Sequence, residues 1–276
     1  MGDRGSHSRV LAAFAAFRER KRIGLFAYLT VGFPSLAASG EVAEALVGAG
    51  IDGIELGIPF SDPLADGPTI QAAAATALSL GVTTETCLRA ANDLRANCAD
   101  VPIMFMGYYN PILQYGPARF VAAAVEAGAD GVIVPDLPLE EAEELDGPCR
   151  ELGLGIVPIA SPVTKQERMS LLANRGAAFL YITSRLGVTG SRSSLATDLA
   201  EVIGKARAAT TIPLAVGFGI SRPEHVAGLK GLADAAIVGS ALLEQLGNAG
   251  DAAKAAVAFA AALVEATYVN HGINSC

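Results

Sequence analysis

A chain of 276 residues that is 51% hydrophobic can bury a sizeable core without disulfides, and its length suits one large domain. A net charge of −8, from 28 acidic and 20 basic residues, argues against nucleic acid or an anionic membrane as the main partner. The cysteines (Cys87, Cys98, Cys149, Cys276) and the histidines (His7, His225, His271) are scattered; they supply neither a disulfide framework nor a metal constellation, and they fit a reducing cytoplasm.

The mean hydropathy of +0.41 raises the question of a membrane span. Long charge-free runs such as 67–84 and 101–118 are broken by Gly, Pro, Asn, Gln or Thr and do not read as spanning helices. Residues 1–7 are expected to form a flexible leader, without the apolar core of a signal peptide, and 269–276 a flexible tail.

Between these ends the pattern alternates. A helix is predicted at 8–21, a strand at 25–29, a helix at 36–48 and a strand at 53–57. Helices at 69–79 and 84–97 precede a strand at 102–106, and a helix at 117–127 precedes a strand at 131–135. Then come helix 139–152, strand 155–159, helix 164–174, strand 178–182, helix 195–208, strand 212–216, helix 223–230 and strand 235–238. The Ala-rich stretch 240–268 reads as a helix broken near Gly247–Gly250. Eight short apolar runs, one per roughly 34 residues, match a strand–helix unit. Ala49-Gly-Ile-Asp-Gly-Ile, Ala127-Gly-Ala-Asp-Gly-Val and Gly231-Leu-Ala-Asp-Ala-Ala share the chemistry of an αβ turn. The expected fold is a single-domain α/β (β/α)8 TIM barrel over 1–276, with an extra N-terminal helix and extra short helices. A doubly wound open sheet is disfavoured, because Thr30-Val-Gly-Phe-Pro is not a nucleotide-binding turn.

The most informative segment is 53–71. Strand alternation puts Ile54 and Leu56 on one face and Gly53, Glu55 and Gly57 on the other, so Glu55 has neighbours without side chains. A proline-stiffened loop with Asp62 and Asp66 follows. One reading is acid–base catalysis by Glu55 and Asp66. The other places Glu55 on the wet face of an edge strand and makes Asp66 the cap of the next helix.

Three glycine-rich turns bear on that choice. Val216-Gly-Phe-Gly-Ile-Ser and Val238-Gly-Ser-Ala follow the last two strands, where barrels commonly bind phosphate on backbone N–H groups and a helix N-terminus. Ser184-Arg-Leu-Gly-Val-Thr-Gly-Ser-Arg-Ser-Ser reads as a mobile loop, either a lid over a phosphorylated substrate or a floppy surface segment. The five lysines fall in or beside predicted helices, which disfavours a Schiff-base aldolase; the lack of a ligand cluster disfavours a metal-dependent one.

Glu55-Leu-Gly-Ile-Pro-Phe-Ser-Asp-Pro-Leu-Ala-Asp-Gly-Pro, Met106-Gly-Tyr-Tyr-Asn-Pro, Pro135-Asp-Leu-Pro, Ser184-Arg-Leu-Gly-Val-Thr-Gly and Gly217-Phe-Gly-Ile-Ser together resemble the tryptophan synthase α subunit family, from about Phe14 to Leu246. The resemblance implies cleavage of indole-3-glycerol phosphate to indole and glyceraldehyde 3-phosphate. Indole would pass to a pyridoxal-phosphate β subunit, with α2β2 as the assembly and no cofactor or metal in this chain. It implies Glu55 as the acid–base group and Asp66 as the carboxylate facing the indole N–H. Gly190, Gly219, Gly239 and Ser240 would bind phosphate; Tyr28, Ile159, Tyr181 and Phe218 would line the indole pocket, with Tyr108 near the reacting centre. Asp62, Asn110 and Pro138 would lie near the β subunit. A free-standing lyase without a partner is the alternative.

Overall fold

The structure, a computed structural model, describes residues 8–175, 177–183, 192–217 and 219–268. Nine strands form one all-parallel sheet: β1 (Gly24–Thr30), β2 (Gly53–Gly57), β3 (Ile103–Met106), β4 (Gly131–Ile133), β5 (Gly155–Ile156), β6 (Ile159–Ala160), β7 (Leu180–Thr183), β8 (Leu214–Gly217) and β9 (Ala235–Val238). Their order is β5-β4-β3-β2-β1-β9-β8-β7-β6. β5 and β6 are the halves of one stave, split at Pro158, which has no N–H to continue a ladder. Val157 N still donates to Val132 O (2.9 Å), and Tyr181 N donates to Pro158 O (3.0 Å). The chain thus crosses from β4 to β7 and closes a ring of eight staves, the expected barrel.

Helices cover the outside: α1 (Ser8–Glu19), α2 (Leu36–Gly48), α3 (Pro68–Ser79), α4 (Thr84–Asn97), α5 (Tyr109–Tyr115), α6 (Pro117–Glu126), α7 (Glu143–Leu152), α8 (Gln166–Ala173), α9 (Arg192–Ala209), α10 (Pro223–Gly228), α11 (Ser240–Gly247) and α12 (Ala252–Glu265). Helix α5 is absent from the sequence reading. Pro111 discourages a helix there, but it lies in the first turn, where its missing N–H would have had no intrahelical partner. The expected helix 139–152 is a 3-10 turn (Leu139–Glu141) followed by α7. The predicted break in 240–268 is real: α11 ends at Gly247, and Asp251 caps α12 by accepting from Lys254 N (3.0 Å).

Strand residues facing outward, such as Ile54, Leu56, Phe105 and Leu180, merge with the helix faces into one large core. A second core fills the barrel's N-terminal mouth, where α1 inserts Val10, Phe14 and Phe17 against Phe26 and Phe179. Phe14 meets the Phe26 ring edge-on at 5.7 Å and the Phe179 ring at 5.4 Å. That end is plugged by aromatic packing, which leaves the C-terminal ends of the strands for chemistry.

The three repeated turns have one architecture. Asp52 accepts from Leu25 N (2.9 Å), Asp130 from Ile103 N (2.9 Å) and Asp234 from Leu214 N (2.7 Å), so each aspartate clamps the start of the preceding stave. Each also pairs with arginine: Asp52 with Arg22, Asp130 with Arg9 and Arg95 (2.8 Å each), and Asp234 with Arg207.

Candidate active site

β2 lies between β1 and β3, with Tyr28, Glu55 and Met104 in register, so Glu55 is on no edge strand. Its side chain is fully buried in the barrel, and neither carboxylate oxygen has a hydrogen-bond partner among the described residues. Burial penalises the charged form and pushes the carboxyl up to about 8. A carboxyl held this way is protonated at neutral pH and can donate a proton, then take one back.

Asp66 arrives from the loop after β2. The N-cap of α3 is Gly67, which makes no side-chain cap bond, so Asp66 is not the helix cap that the alternative reading required. It is half-buried, and its carboxyl rises to about 6; burial is the main cause, opposed by a hydrogen bond from the Tyr108 hydroxyl. The same hydroxyl accepts from Ala65 N (2.9 Å), and the Tyr108 ring lies 5.5 Å from that of Phe60, so Tyr108 pins the loop that carries Asp66.

A cavity of about 190 Å³ at the C-terminal mouth brings together Tyr28, Glu55, Asp66, Tyr181, Gly219, Gly239 and Ser240, which sequence reasoning drew from five separate segments. Tyr28 and Tyr181 are buried, and desolvation raises both phenols well above their ordinary range, so they act as neutral walls. Gly219 has φ +75°, a left-handed conformation suited to glycine. Gly239 is the N-cap of α11 with no side-chain cap bond, which leaves the first helical N–H groups for an anion. Sequence reasoning missed several lining residues: Ile70, Met106, Ile220, Ser221, Ile237, Ala241 and Glu244. For Met106 and Ile237 only the inward alternation of the strands would have signalled them.

Two further expected residues stand next to the groups that line the cavity. Tyr108 supports the loop and does not line this cavity. Ile159 is in register with Tyr181 and packs against the inner-barrel cluster that contains it, and it also lines a larger cavity of about 720 Å³ between the split stave and helices α7 and α8. The charged side chains there pair with acidic neighbours (Arg168–Glu140 2.7 Å, Arg150–Asp146 2.8 Å, Arg175–Asp146 3.0 Å), and none of the candidate catalytic groups lines it. Pro138 lies on its rim. Asp62, Asn110 and Pro138 are exposed, on the loops or first helical turns after β2, β3 and β4. Leu64, on the same loop as Asp62, is 93% exposed. Gly190, Phe218 and most of the expected lid, 184–191, lie outside the described residues. Among the described residues no group of three metal-binding side chains occurs, and no helix is long and apolar enough to cross a membrane.

Residues 14–270 match the family model described as "Tryptophan synthase alpha chain". The chain is 48% identical over 239 residues to the tryptophan synthase alpha chain of Chloroflexus aurantiacus, covering 87% of this chain and 90% of that one. It is 46% identical over 245 residues to the protein of that name from Gluconacetobacter diazotrophicus, covering 89% of each. Among solved structures, the alpha chain from Legionella pneumophila superposes with a TM-score of 0.87 at 33% identity, covering 97% of this chain and 99% of that one. A chain of tryptophan synthase from M. tuberculosis gives 0.86 at 31% identity, covering 95% and 99%.

Proposed function

Since this chain belongs to the tryptophan synthase alpha chain family, lyases that cleave indole-3-glycerol phosphate, we propose that Glu55 and Asp66 carry out that cleavage. The observation behind this reading is the buried Glu55 carboxyl, unpartnered among the described residues, sharing one cavity with Asp66 and two glycine turns. Protonated Glu55 donates to indole C3. Asp66, ionised, stabilises the positive charge that develops at the ring nitrogen. The C3–C1′ bond then breaks; its electron pair restores the aromatic ring, and the C1′ hydroxyl gives its proton to Glu55 as the aldehyde forms. Tyr28 and Tyr181 wall the indole, while Gly219, Gly239 and Ser240, with Gly190, hold the phosphate. The test is Glu55→Gln. Phosphate-ligand binding is expected to persist while turnover falls by about 10²–10⁴-fold or more; near wild-type turnover would remove Glu55 from the mechanism.

The partner reading is a pyridoxal-phosphate β subunit in an α2β2 complex that receives the indole, this chain itself needing no cofactor. Exposed Asp62, Leu64, Asn110 and Pro138, near the C-terminal ends of β2 to β4, support a partner at that mouth. The free-standing lyase is not favoured, given relatives named as alpha chains. Co-purification with a β subunit, and activation by it, separates the two. We read the whole chain as one barrel domain and place it in the cytoplasm, on the evidence of its scattered cysteines.

A further inference from the structure

The cavity that would receive a phosphate dianion is lined by three carboxylates, Glu55, Asp66 and Glu244, and by no lysine or arginine among the described residues. Burial draws the first two toward their neutral forms. Glu244 is exposed, and its carboxylate has no ion-pair partner among the described residues. It follows Ser240 by four residues on α11, so the two side chains share a face of the helix, and both line the cavity. A negative charge therefore stands about one helical turn from the helix N-terminus that attracts the anion. Among the described residues, attraction in this subsite comes from backbone N–H groups, the helix end and the Ser240 hydroxyl, and Glu244, the one exposed ionisable side chain on the described wall, opposes it.

We propose that Glu244 limits affinity at the phosphate subsite, weakening retention of the phosphorylated substrate and triose phosphate product by charge repulsion. This rests on the reading of Gly219, Gly239 and Ser240 as the phosphate site. The role is one of specificity, acting on charge and leaving recognition of the neutral indole ring untouched. It also accounts for a site that must bind a dianion and then release one in every turnover.

The experiment measures binding of inorganic phosphate and of indole by the full chain and its Glu244→Gln, Glu244→Lys and Ser240→Ala variants. Glu244→Gln is expected to tighten phosphate binding by about 3–10-fold at low ionic strength, and Glu244→Lys by more; the gain should shrink as salt rises toward 0.3 M, where charges at this separation are screened. Indole affinity should stay the same in both. Ser240→Ala should weaken phosphate binding. Unchanged phosphate affinity in Glu244→Gln, with weakening in Ser240→Ala, would overturn the role of Glu244 alone. No effect of Ser240→Ala would overturn the phosphate site and the proposal with it. Parallel tightening of indole would point to a steric effect and also overturn it.

Discussion

A Cβ placed on Gly57 would lie 2.3 Å from the Tyr28 hydroxyl oxygen, so the backbone of β2 is what leaves room for the ring beside Glu55. The contact recurs across the barrel, where a Cβ on Gly217 would lie 2.1 Å from the Tyr181 hydroxyl. In both places a tyrosine on one stave fills the volume a glycine vacates on the next. Gly57→Ala should therefore push Tyr28 into the cavity and lower kcat/KM by about 10–100-fold, because displacements near 1 Å at a reacting centre cost about that much. Steady-state kinetics in a Tyr28→Leu background checks the cause: there the further cost of Gly57→Ala should fall below about threefold. An equal cost in both backgrounds would place the damage elsewhere.

Glu55 should make stability depend on pH. Its carboxyl lies at about 8 in the folded chain against an ordinary 4.5, so the unfolded chain ionises first. The contribution is complete below about pH 4.5, declines as pH rises and is fully lost above about 8. Between pH 5.5 and 8 the wild type should lose about 3 kcal/mol relative to Glu55→Gln, at 1.36 kcal/mol per pH unit. Urea unfolding of both proteins at the two pH values measures this; parallel profiles would contradict it.

The rate should be bell-shaped in pH. The mechanism needs Asp66 ionised and Glu55 protonated, so kcat/KM should rise through about pH 6 and fall through about 8. The substrate's phosphate also titrates near 6, so Asp66→Asn is needed to assign the acid limb. Loss of the alkaline limb from the residual activity of Glu55→Gln would assign the other.

The aspartate clamps should differ in worth despite their shared sequence. Asp130 is fully buried and holds two arginines and a strand N–H; its removal strands them and should cost about 3–5 kcal/mol. Asp234 and Arg207 have side chains 25% and 37% exposed, so Asp234→Ala should cost nearer 1 kcal/mol. Chemical denaturation of the two variants compares them directly.

Much of the fold was legible locally. Short buried strands alternating with Ala-rich helices, and glycines ending helices ahead of an aspartate, have a period that sequence displays. The failures are equally local in cause. Pro111 hides α5 because its effect depends on which helical turn it occupies, and Pro158 splits a stave that reads as one apolar run. At the site, Glu55 between glycines and the two glycine turns were visible because their unusual residue types mark them. Glu244 was not, since a glutamate on a helix reads as a solvated face until the helix is seen to border the cavity.

The amino-acid sequence by itself determined the alternation of elements and the residue types of the proposed acid–base pair and proposed anion-binding turns, because these follow from periodicity, side-chain chemistry and the conformational range of glycine and proline. Only the tertiary structure decided that Glu55 is buried without a partner among the described residues, that Tyr108 braces the loop of Asp66, that Ile159 borders a second cavity, and that Glu244, unpaired among the described residues, borders the proposed phosphate end. Burial and proximity arise when staves far apart in the chain close into a ring, and a carboxyl's protonation depends on what that closure removes from water.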